Sequence, residues 1–235
     1  MPGILYLFPV TLAESPLEKV LPEYNKQLLL PIRHFIVEEV RTARRFLKKV
    51  DPGFDIDACQ FHSLNKHTTP EQIAGYLEAL KNGSDMGLLS EAGCPAIADP
   101  GADIVRIAQE KGYKVVPLVG PSSILLALMA SGFNGQRFAF EGYLPVEKDD
   151  RIKAIKHLEQ RSYAEDMTQI FIETPYRNVK LLEDLSTNLR PQTRICVAFD
   201  ITGPEENIRT LSAKDWKKSP EELTKKPCIF LIYKA

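Results

Sequence analysis

The chain has few cysteines and no long apolar run, and each shortage excludes a class of protein. Its four cysteines form no C-x-x-C pair, and no group of cysteines and histidines has the spacing of a zinc site. We therefore expect no bound metal and reduced thiols. No apolar run is long enough to span a membrane, and the first residues lack a signal-peptide pattern. We expect a cytoplasmic protein with no membrane partner.

Net charge is almost absent as well. The 235 residues include 30 Lys and Arg against 31 Asp and Glu, which gives a formal net charge of -1 at pH 7. Such a chain has no general attraction to phosphates, so any contact with nucleic acid must come from a local basic patch. The hydrophobic content of 44% is sufficient for one large core or two modest ones.

Short apolar runs alternate with helical patterns along most of the chain. Strands separated by helices indicate a mostly parallel sheet, buried on both faces. We predict an α/β protein with two α/β domains and a cofactor cleft between them. The first domain covers residues 1–118 and has a mostly parallel sheet; the second covers 119–235 and has a mixed sheet, because several connections there are short. The predicted strands are Ile4–Phe8, Phe35–Val37, Ala58–Phe61, Met86–Leu89, Val115–Val119, Phe138–Tyr143, Gln169–Glu173, Ile195–Phe199, Ile208–Leu211 and Cys228–Tyr233.

Helices are predicted between these strands. Ile73, Leu77 and Leu80 line one face of a helix, and Thr69 is its predicted N-cap because a proline and a glutamine follow at the right positions. Another face is formed by Ile104, Val105 and Ala108. The remaining predicted helices are Ile124–Ala130, Asp150–Gln160 and Asn178–Asn188.

Two loops of glycine, proline and small polar residues each follow a predicted strand. They span Ser90–Gly101 and Gly120–Ser123. In an open α/β sheet, loops at the carboxyl ends of strands form the ligand crevice, and small residues let the backbone approach a ligand closely. The pattern predicts a pocket that holds a nucleotide-like molecule largely by main-chain groups.

Five short motifs follow one another in a fixed order: Ser90–Pro95, Ala98–Gly101, Val119–Ser122, Phe140–Pro145 and Glu173–Arg177. Their order and spacing resemble the tetrapyrrole methylase superfamily of S-adenosylmethionine-dependent methyltransferases. Within it, the pattern is most similar to the bacterial 16S rRNA (cytidine-2′-O)-methyltransferases. The resemblance implies S-adenosylmethionine as methyl donor, a ribose 2′-hydroxyl of ribosomal RNA in the small ribosomal subunit as acceptor, and a homodimer.

The resemblance also implies positions for the functional residues. Glu39 is the carboxylate that falls on an acceptor motif, and it is the candidate general base. The implied donor contacts are Pro9, Ser90, Glu91, Ala92, Gly93, Cys94, Pro95, Ile97, Ser122, Ser123, Thr174 and Ala198. The implied acceptor contacts are Arg41, Lys66, His67, Tyr176 and Arg177.

The acceptor half of the pattern departs from that family. The Gly-Asn pair expected after Pro9 is missing, the family's Glu-Asp-Thr-Arg is replaced over Glu38–Arg41, and its Tyr-His-Glu-His-Asn is reduced over Leu64–Thr68. Two alternatives therefore stay open: a methyltransferase of the same fold that acts on a tetrapyrrole or another small acceptor, and a non-catalytic module that binds the donor or its product. Purely structural roles also stay open, above all helix capping by Asp99.

Overall fold

Two compact units make up the chain. The computed structural model describes residues 1–64, 68–218, 223 and 227–235, and the units are Met1–Ser122 and Ser123–Ala235. Each unit contains one five-stranded sheet with helices packed against it, which confirms the predicted α/β class. The domain limits 1–118 and 119–235 and the cleft between the domains stay predictions.

The first unit has a wholly parallel sheet. Its strands are β1 Ile4–Phe8, β2 His34–Val37, β3 Gln60–Ser63, β4 Met86–Leu89 and β5 Lys114–Pro117. Its helices are α1 Leu17–Val20, α2 Glu23–Leu29, α3 Val40–Val50, α4 Pro70–Tyr76, α5 Glu78–Lys81 and α6 Gly101–Glu110. The strand order is β3-β2-β4-β1-β5, and every pairing is parallel. Side chains of α4, α5 and α6 pack on one face and those of α2 and α3 on the other, so β4 is buried along its whole length.

The predicted helix through Ile73, Leu77 and Leu80 is divided into two. All three leucine and isoleucine side chains are buried, as the pattern predicts, but α4 ends before Leu77 and α5 begins after it. The N–H of Leu77 donates to the carbonyl of Gly75, which tightens the chain into a turn at that point. Glycine is a poor helix former, which accounts for a break here. Thr69 caps α4 as predicted, in a reciprocal pair of hydrogen bonds with Gln72.

The second unit has a mixed sheet, as predicted. Its strands are β6 Phe138–Tyr143, β7 Thr168–Glu173, β8 Arg194–Phe199, β9 Asn207–Ser212 and β10 Cys228–Tyr233. Its helices are α7 Ser123–Ser131, α8 Lys148–Glu165, α9 Asn178–Asn188 and α10 Ala213–Trp216. The order is β6-β7-β10-β8-β9; the β6–β7 pairing is parallel and the other three are antiparallel.

A buried ion pair joins α8 to α9 inside the second unit. The guanidinium of Arg151 donates through Nε and Nη2 to Oδ2 of Asp184, at 2.9 and 2.7 Å. Both side chains are almost fully buried, with 7% and 5% of their surface exposed. The same guanidinium also donates to the carbonyls of Pro145 and Val146. The pair therefore ties the loop before α8 to the helix pair, and neither charge has bulk water as an alternative partner.

We expect Asp184→Ala to destabilise the second unit strongly. The substitution leaves the Arg151 guanidinium buried without its counter-ion, and breaking such a pair costs about 3–5 kcal/mol of unfolding free energy. Urea unfolding followed by circular dichroism measures the change. Glu110→Ala is the control, because Glu110 pairs with Arg106 in an exposed position of α6. A loss for Asp184→Ala no greater than for the control would contradict the role of the pair.

Candidate ligand site at the carboxyl edge of the parallel sheet

Three strand ends of the first unit lie side by side. Val37 of β2 pairs with Leu89 of β4, and Leu89 pairs with Phe8 of β1. The residues that follow these three positions are Glu38, Ser90 and Pro9. Because parallel strands all point the same way, these residues meet at one edge of the sheet, where open α/β sheets bind their ligands. The predicted donor loop therefore starts at the centre of this edge.

The loop after β4 is tied to both neighbouring segments. The hydroxyl of Ser90 donates to the carbonyl of Gly93 at 3.0 Å, and the N–H of Val10, just beyond β1, donates to the same carbonyl at 2.9 Å. The thiol of Cys94 donates to the carbonyl of Pro121, beyond β5, at 3.4 Å. The loop is therefore a fixed wall between the ends of β1 and β5.

Left-handed backbone conformations shape this wall. Gly93 has φ = 72°, and two alanines share the left-handed region, Ala96 at 67° and Ala98 at 61°. Such conformations are unfavourable for residues with a Cβ, and here a neighbouring side chain offsets part of that strain. Oδ1 of Asp99 accepts hydrogen bonds from the N–H groups of Ala96 at 2.9 Å and Gly101 at 2.7 Å. Asp99 thus holds the loop and also bonds the first residue of α6.

Gly120 allows the segment beyond β5 to pass close to the end of β1. A Cβ placed on Gly120 would lie 2.2 Å from Cβ of Pro9, which no side chain tolerates. A Cβ on Gly93 would meet Leu12 at 3.0 Å and the carbonyl oxygen of Pro121 at 3.3 Å. Main-chain atoms therefore form most of the surface at this part of the edge, as the loops of small residues predict.

Acidic side chains gather at the same edge. Burial raises the pKa of the Glu38 carboxyl, and the nearby carboxylates of Asp99 and Glu91 raise it further, while a hydrogen bond from the N–H of Glu91 acts in the opposite direction. Burial also raises the pKa of Asp99, against the effect of its bonds to the N–H groups of Gly101 and Ala96. These three carboxylates lie beside the loop after β4, which contains no Lys or Arg, and their negative charge favours a cationic ligand.

A hollow of about 200 Å³ opens beside this edge. Ser90 and Glu91 line it from the end of β4, and Val10 and Thr11 line it from the end of β1. Arg45 and Lys49 of α3 line it as well. Within the described residues, no group of three or more His, Cys, Asp and Glu side chains is arranged to hold a metal ion.

The predicted donor residues divide between the two units. Nine belong to the first unit, at or beyond the strand ends described above: Pro9, Ser90, Glu91, Ala92, Gly93, Cys94, Pro95, Ile97 and Ser122. Pro9, Ser90, Gly93 and Pro95 are buried there, whereas Ala92 and Ile97 are exposed. The second unit contains Ser123, Thr174 and Ala198, and their donor contacts stay predictions. Ala198 is fully buried within β8, between β9 and β10.

The predicted acceptor residues are scattered more widely. Glu39 is exposed and caps α3, because its Oε1 accepts a hydrogen bond from the N–H of Arg41 at 3.0 Å. Lys66 and His67 lie outside the described residues. In the second unit, Tyr176 is 85% exposed. The general-base role of Glu39 and these acceptor contacts stay predictions.

Arg177 has partners within its own motif. Its Nη2 lies 2.6 Å from Oε1 of the buried Glu173, and its Nε donates to the hydroxyl of Thr174 at 3.2 Å. The N–H of Thr174 donates to the same carboxylate oxygen at 2.6 Å. The Glu-Thr-Pro-Tyr-Arg motif is therefore a closed turn after β7, stabilised by its own first and last residues.

Glu38 and Asp99 are absent from the predicted set of site residues, although both had a detectable signal. Glu38 directly follows the apolar run Phe35–Val37, as Ser90 follows Met86–Leu89, so both stand at strand ends. Asp99 precedes a helix and suggests a cap. The structure adds a second role, because Asp99 lies close enough to Glu38 to raise the pKa of that carboxyl.

Comparisons with known proteins identify the family that this chain resembles. The sequence profile of the tetrapyrrole (corrin/porphyrin) methylases matches residues 23–216. Ribosomal RNA small subunit methyltransferase I of Haemophilus influenzae is 34% identical over 175 residues, which are 73% of this chain and 60% of that protein. The protein of the same name from Pseudomonas aeruginosa is 29% identical over 229 residues, or 96% and 78%. The Escherichia coli O157:H7 protein is 34% identical over 182 residues, or 76% and 62%.

This chain thus matches less than two thirds of the length of two of these three relatives. Among solved structures, the methyltransferase CobJ aligns with a TM-score of 0.64 at 16% identity, over 100% of this chain and 95% of that chain. Uroporphyrin-III-C-methyltransferase from Thermus thermophilus aligns with a TM-score of 0.56 at 17% identity, over 100% and 93%. At such identities these two structures show a shared fold.

No described helix is both long and apolar enough to cross a membrane.

Proposed function

The chain belongs to the tetrapyrrole (corrin/porphyrin) methylase family, and on that premise we propose that it transfers a methyl group from S-adenosylmethionine to a ribose 2′-hydroxyl of ribosomal RNA. The methyl donor of this family is S-adenosylmethionine. One observation carries the proposal: the small-residue loop after β4 is held at the carboxyl edge of the parallel sheet beside three carboxylates. A cytoplasmic location and a homodimer are part of the same proposal.

The residues of this edge suit the donor. S-adenosylmethionine supplies a methyl group carried on a positively charged sulfonium. The carboxylates of Glu38, Glu91 and Asp99 favour positive charge at the edge, and the loop from Ser90 to Gly101 contains no Lys or Arg that would repel it. The exposed Ala92 and the half-buried Ser122 leave main-chain groups accessible to the adenosine and the amino-acid tail. The proposed donor site in this unit is therefore the loop after β4 with the segments beyond β1 and β5.

We expect Gly93→Val to abolish binding of S-adenosylmethionine. The backbone at Gly93 is left-handed, so a residue with a Cβ is strained there by about 1–2 kcal/mol, and its side chain would project toward Leu12 and the Pro121 carbonyl. Gly112→Val is the matched control, because Gly112 has a similar φ of 71° but a Cβ placed on it would have no atom within 4 Å. Isothermal calorimetry measures donor binding and urea unfolding measures stability. Unchanged binding by Gly93→Val would contradict the proposed donor site.

Proton removal from the acceptor falls to a carboxylate at the same edge. A ribose hydroxyl is a weak nucleophile, and a positioned base that accepts its proton speeds the transfer. Glu38 suits this role, because it is half-buried at the end of β2 and its raised pKa makes it a stronger base than an ordinary carboxylate. Glu39, by contrast, is the cap of α3, and its carboxylate already accepts a hydrogen bond from the N–H of Arg41. We propose Glu38 as the base, and the Glu39 prediction is decided by the same experiment.

We expect Glu38→Gln to lower kcat by about 10²- to 10⁴-fold, the usual contribution of a general base. A base acts only when ionised, so activity of the unchanged protein falls as the pH drops through the pKa of Glu38. That pKa is raised, which places the loss at a higher pH than an ordinary glutamate would give. Asp99→Asn removes one neighbouring charge and should move the loss to lower pH. If the fall of activity at low pH persists in Glu38→Gln but disappears in Glu39→Gln, the base is Glu39.

The acceptor is tested with labelled donor. The substrates are small ribosomal subunits, naked ribosomal RNA and transfer RNA from a strain that lacks this gene. We expect label in the small subunit, on a ribose, because the relatives at 34% identity bear the name of ribosomal RNA small subunit methyltransferases. Label in a small-molecule extract instead would favour a tetrapyrrole or other small acceptor. Donor binding without transfer to any fraction would favour a non-catalytic module.

A further inference from the structure

Helix α3 concentrates positive charge on a chain that is otherwise nearly neutral. Its eleven residues, Val40–Val50, include five basic side chains and no acidic one. The basic residues are Arg41, Arg44, Arg45, Lys48 and Lys49. The whole chain has a formal charge of -1, so this helix departs sharply from the average. It begins directly after Glu38 and Glu39, next to the proposed methyl-transfer site.

The charge lies on one side of the helix because the other side is committed to the core. Ala43, Phe46, Leu47 and Val50 are buried against the sheet. Arg41, Arg45 and Lys48 are spaced four and three residues apart, which places them in one row along a helix. All three are exposed. The row therefore faces solvent, and the apolar side chains that would insert into a lipid surface are already packed inside the protein.

The partners of these side chains separate structural from available cations. Lys49 donates to the carbonyl of Ser15 at 2.8 Å, and Lys48 donates to the carbonyl of Pro52 at 3.0 Å. Arg44 pairs with the largely exposed Asp57 at 3.2 Å. Over residues 1–64, 68–218, 223 and 227–235, no hydrogen bond or ion pair engages the guanidinium groups of Arg41 and Arg45. The two arginines are thus available to a ligand from solution, and the exposed Lys48 uses one of its three N–H donors on Pro52, which leaves its charge available as well.

Arg45 connects this row to the proposed site. It lines the hollow of about 200 Å³ that also contacts Ser90 and Glu91. It also lines a second hollow, a shallow depression of about 550 Å³, whose lining includes Arg41, Arg44 and Lys48 together with one carboxylate, Glu39. An RNA strand lying in the second hollow would run along the basic row and, at Arg45, reach the hollow beside the acidic edge. The basic side chains there suit a polyanion, whereas the carboxylates at the edge suit a cationic donor.

We propose that the basic row Arg41, Arg45 and Lys48 binds the phosphodiester backbone of the acceptor RNA and orients it toward the carboxyl edge of the sheet; this rests on the proposed function. Arginine matches phosphate with a planar fork of donors, and phosphate contacts position a nucleic acid without reading its sequence. A chain of net charge -1 has no general grip on RNA. The row therefore provides the local attraction that such an enzyme requires.

The test compares two triple variants with equal loss of charge. The first is Arg41→Gln, Arg45→Gln and Lys48→Gln; glutamine keeps the helix propensity and removes the charge. The second, as control, is Lys214→Gln, Lys217→Gln and Lys218→Gln, three exposed cations of the second unit. Affinity for naked small-subunit ribosomal RNA is measured between 50 and 200 mM salt, together with methyl transfer and with calorimetry of S-adenosylmethionine.

We expect the first variant to bind donor normally but RNA about 100-fold more weakly at 0.1 M salt. Each lost contact to a single strand removes about 0.7 from the slope of log affinity against log salt, so three remove about 2. The control variant should keep both slope and affinity. An unchanged slope in the first variant, or an equal loss in the control, would overturn the proposal.

Two further readouts separate this proposal from the one on which it rests. If the unchanged protein methylates RNA while the first variant retains full affinity and KM, the basic row is excluded and the proposed function stands. If the unchanged protein binds donor but neither binds nor methylates RNA, the proposed function fails, and the basic row fails with it. Binding to phosphatidylserine vesicles that depends on the three residues, without any RNA binding, would also overturn the proposal in favour of a membrane surface.

Discussion

The parallel pairing of β4 with β1 and β2 is the constraint on which the first unit depends. Helices cover both faces of this sheet, so its central strand is apolar throughout, with Met86, Leu88 and Leu89 nearly inaccessible. Polar and charged side chains can then appear only where a strand ends. Because all five strands point the same way, those ends collect at one edge. Glu38, Ser90 and Pro9 become neighbours through register alone, although the chain separates them widely.

Much of this arrangement follows from the sequence by simple rules. Ten apolar runs predict the ten strands found in the described residues. Their alternation with helices predicts the parallel sheet of the first unit, and the short connections after it predict the mixed sheet of the second. Strand ends shift where local bonds intervene. Ala58 is predicted in a strand, but the N–H of Cys59 donates to the carbonyl of Ile56, so a turn delays β3 until Gln60. The break at Leu77 has the same character, since a turn bond close to Gly75 replaces a helical one.

The candidate site is predictable only in part, for reasons that concern electrostatics and strain. Small residues in a loop predict close main-chain approach, and Gly93 and Gly120 agree with that. Nothing in the sequence around Ala96 and Ala98 predicts left-handed alanines, because alanine disfavours that conformation and the hydrogen bonds of Asp99 to Ala96 and Gly101 that stabilise the loop are seen only in the structure. Net charge is a similarly poor guide. A total of -1 conceals a basic helix and an acidic edge. They become visible when helical spacing is applied to residues 40–50 and when the structure places Glu38 beside Glu91 and Asp99.

Asp99 couples the shape of the edge to its chemistry. Its carboxylate must be ionised to accept two N–H groups most strongly, and those bonds stabilise the strained loop after β4. The same negative charge acts on Glu38 and makes ionisation of that carboxyl less favourable. A well-formed loop therefore coincides with a more basic Glu38. One half-buried side chain thus stabilises the wall proposed for the donor and, together with burial, raises the proton affinity of the carboxylate proposed as the base.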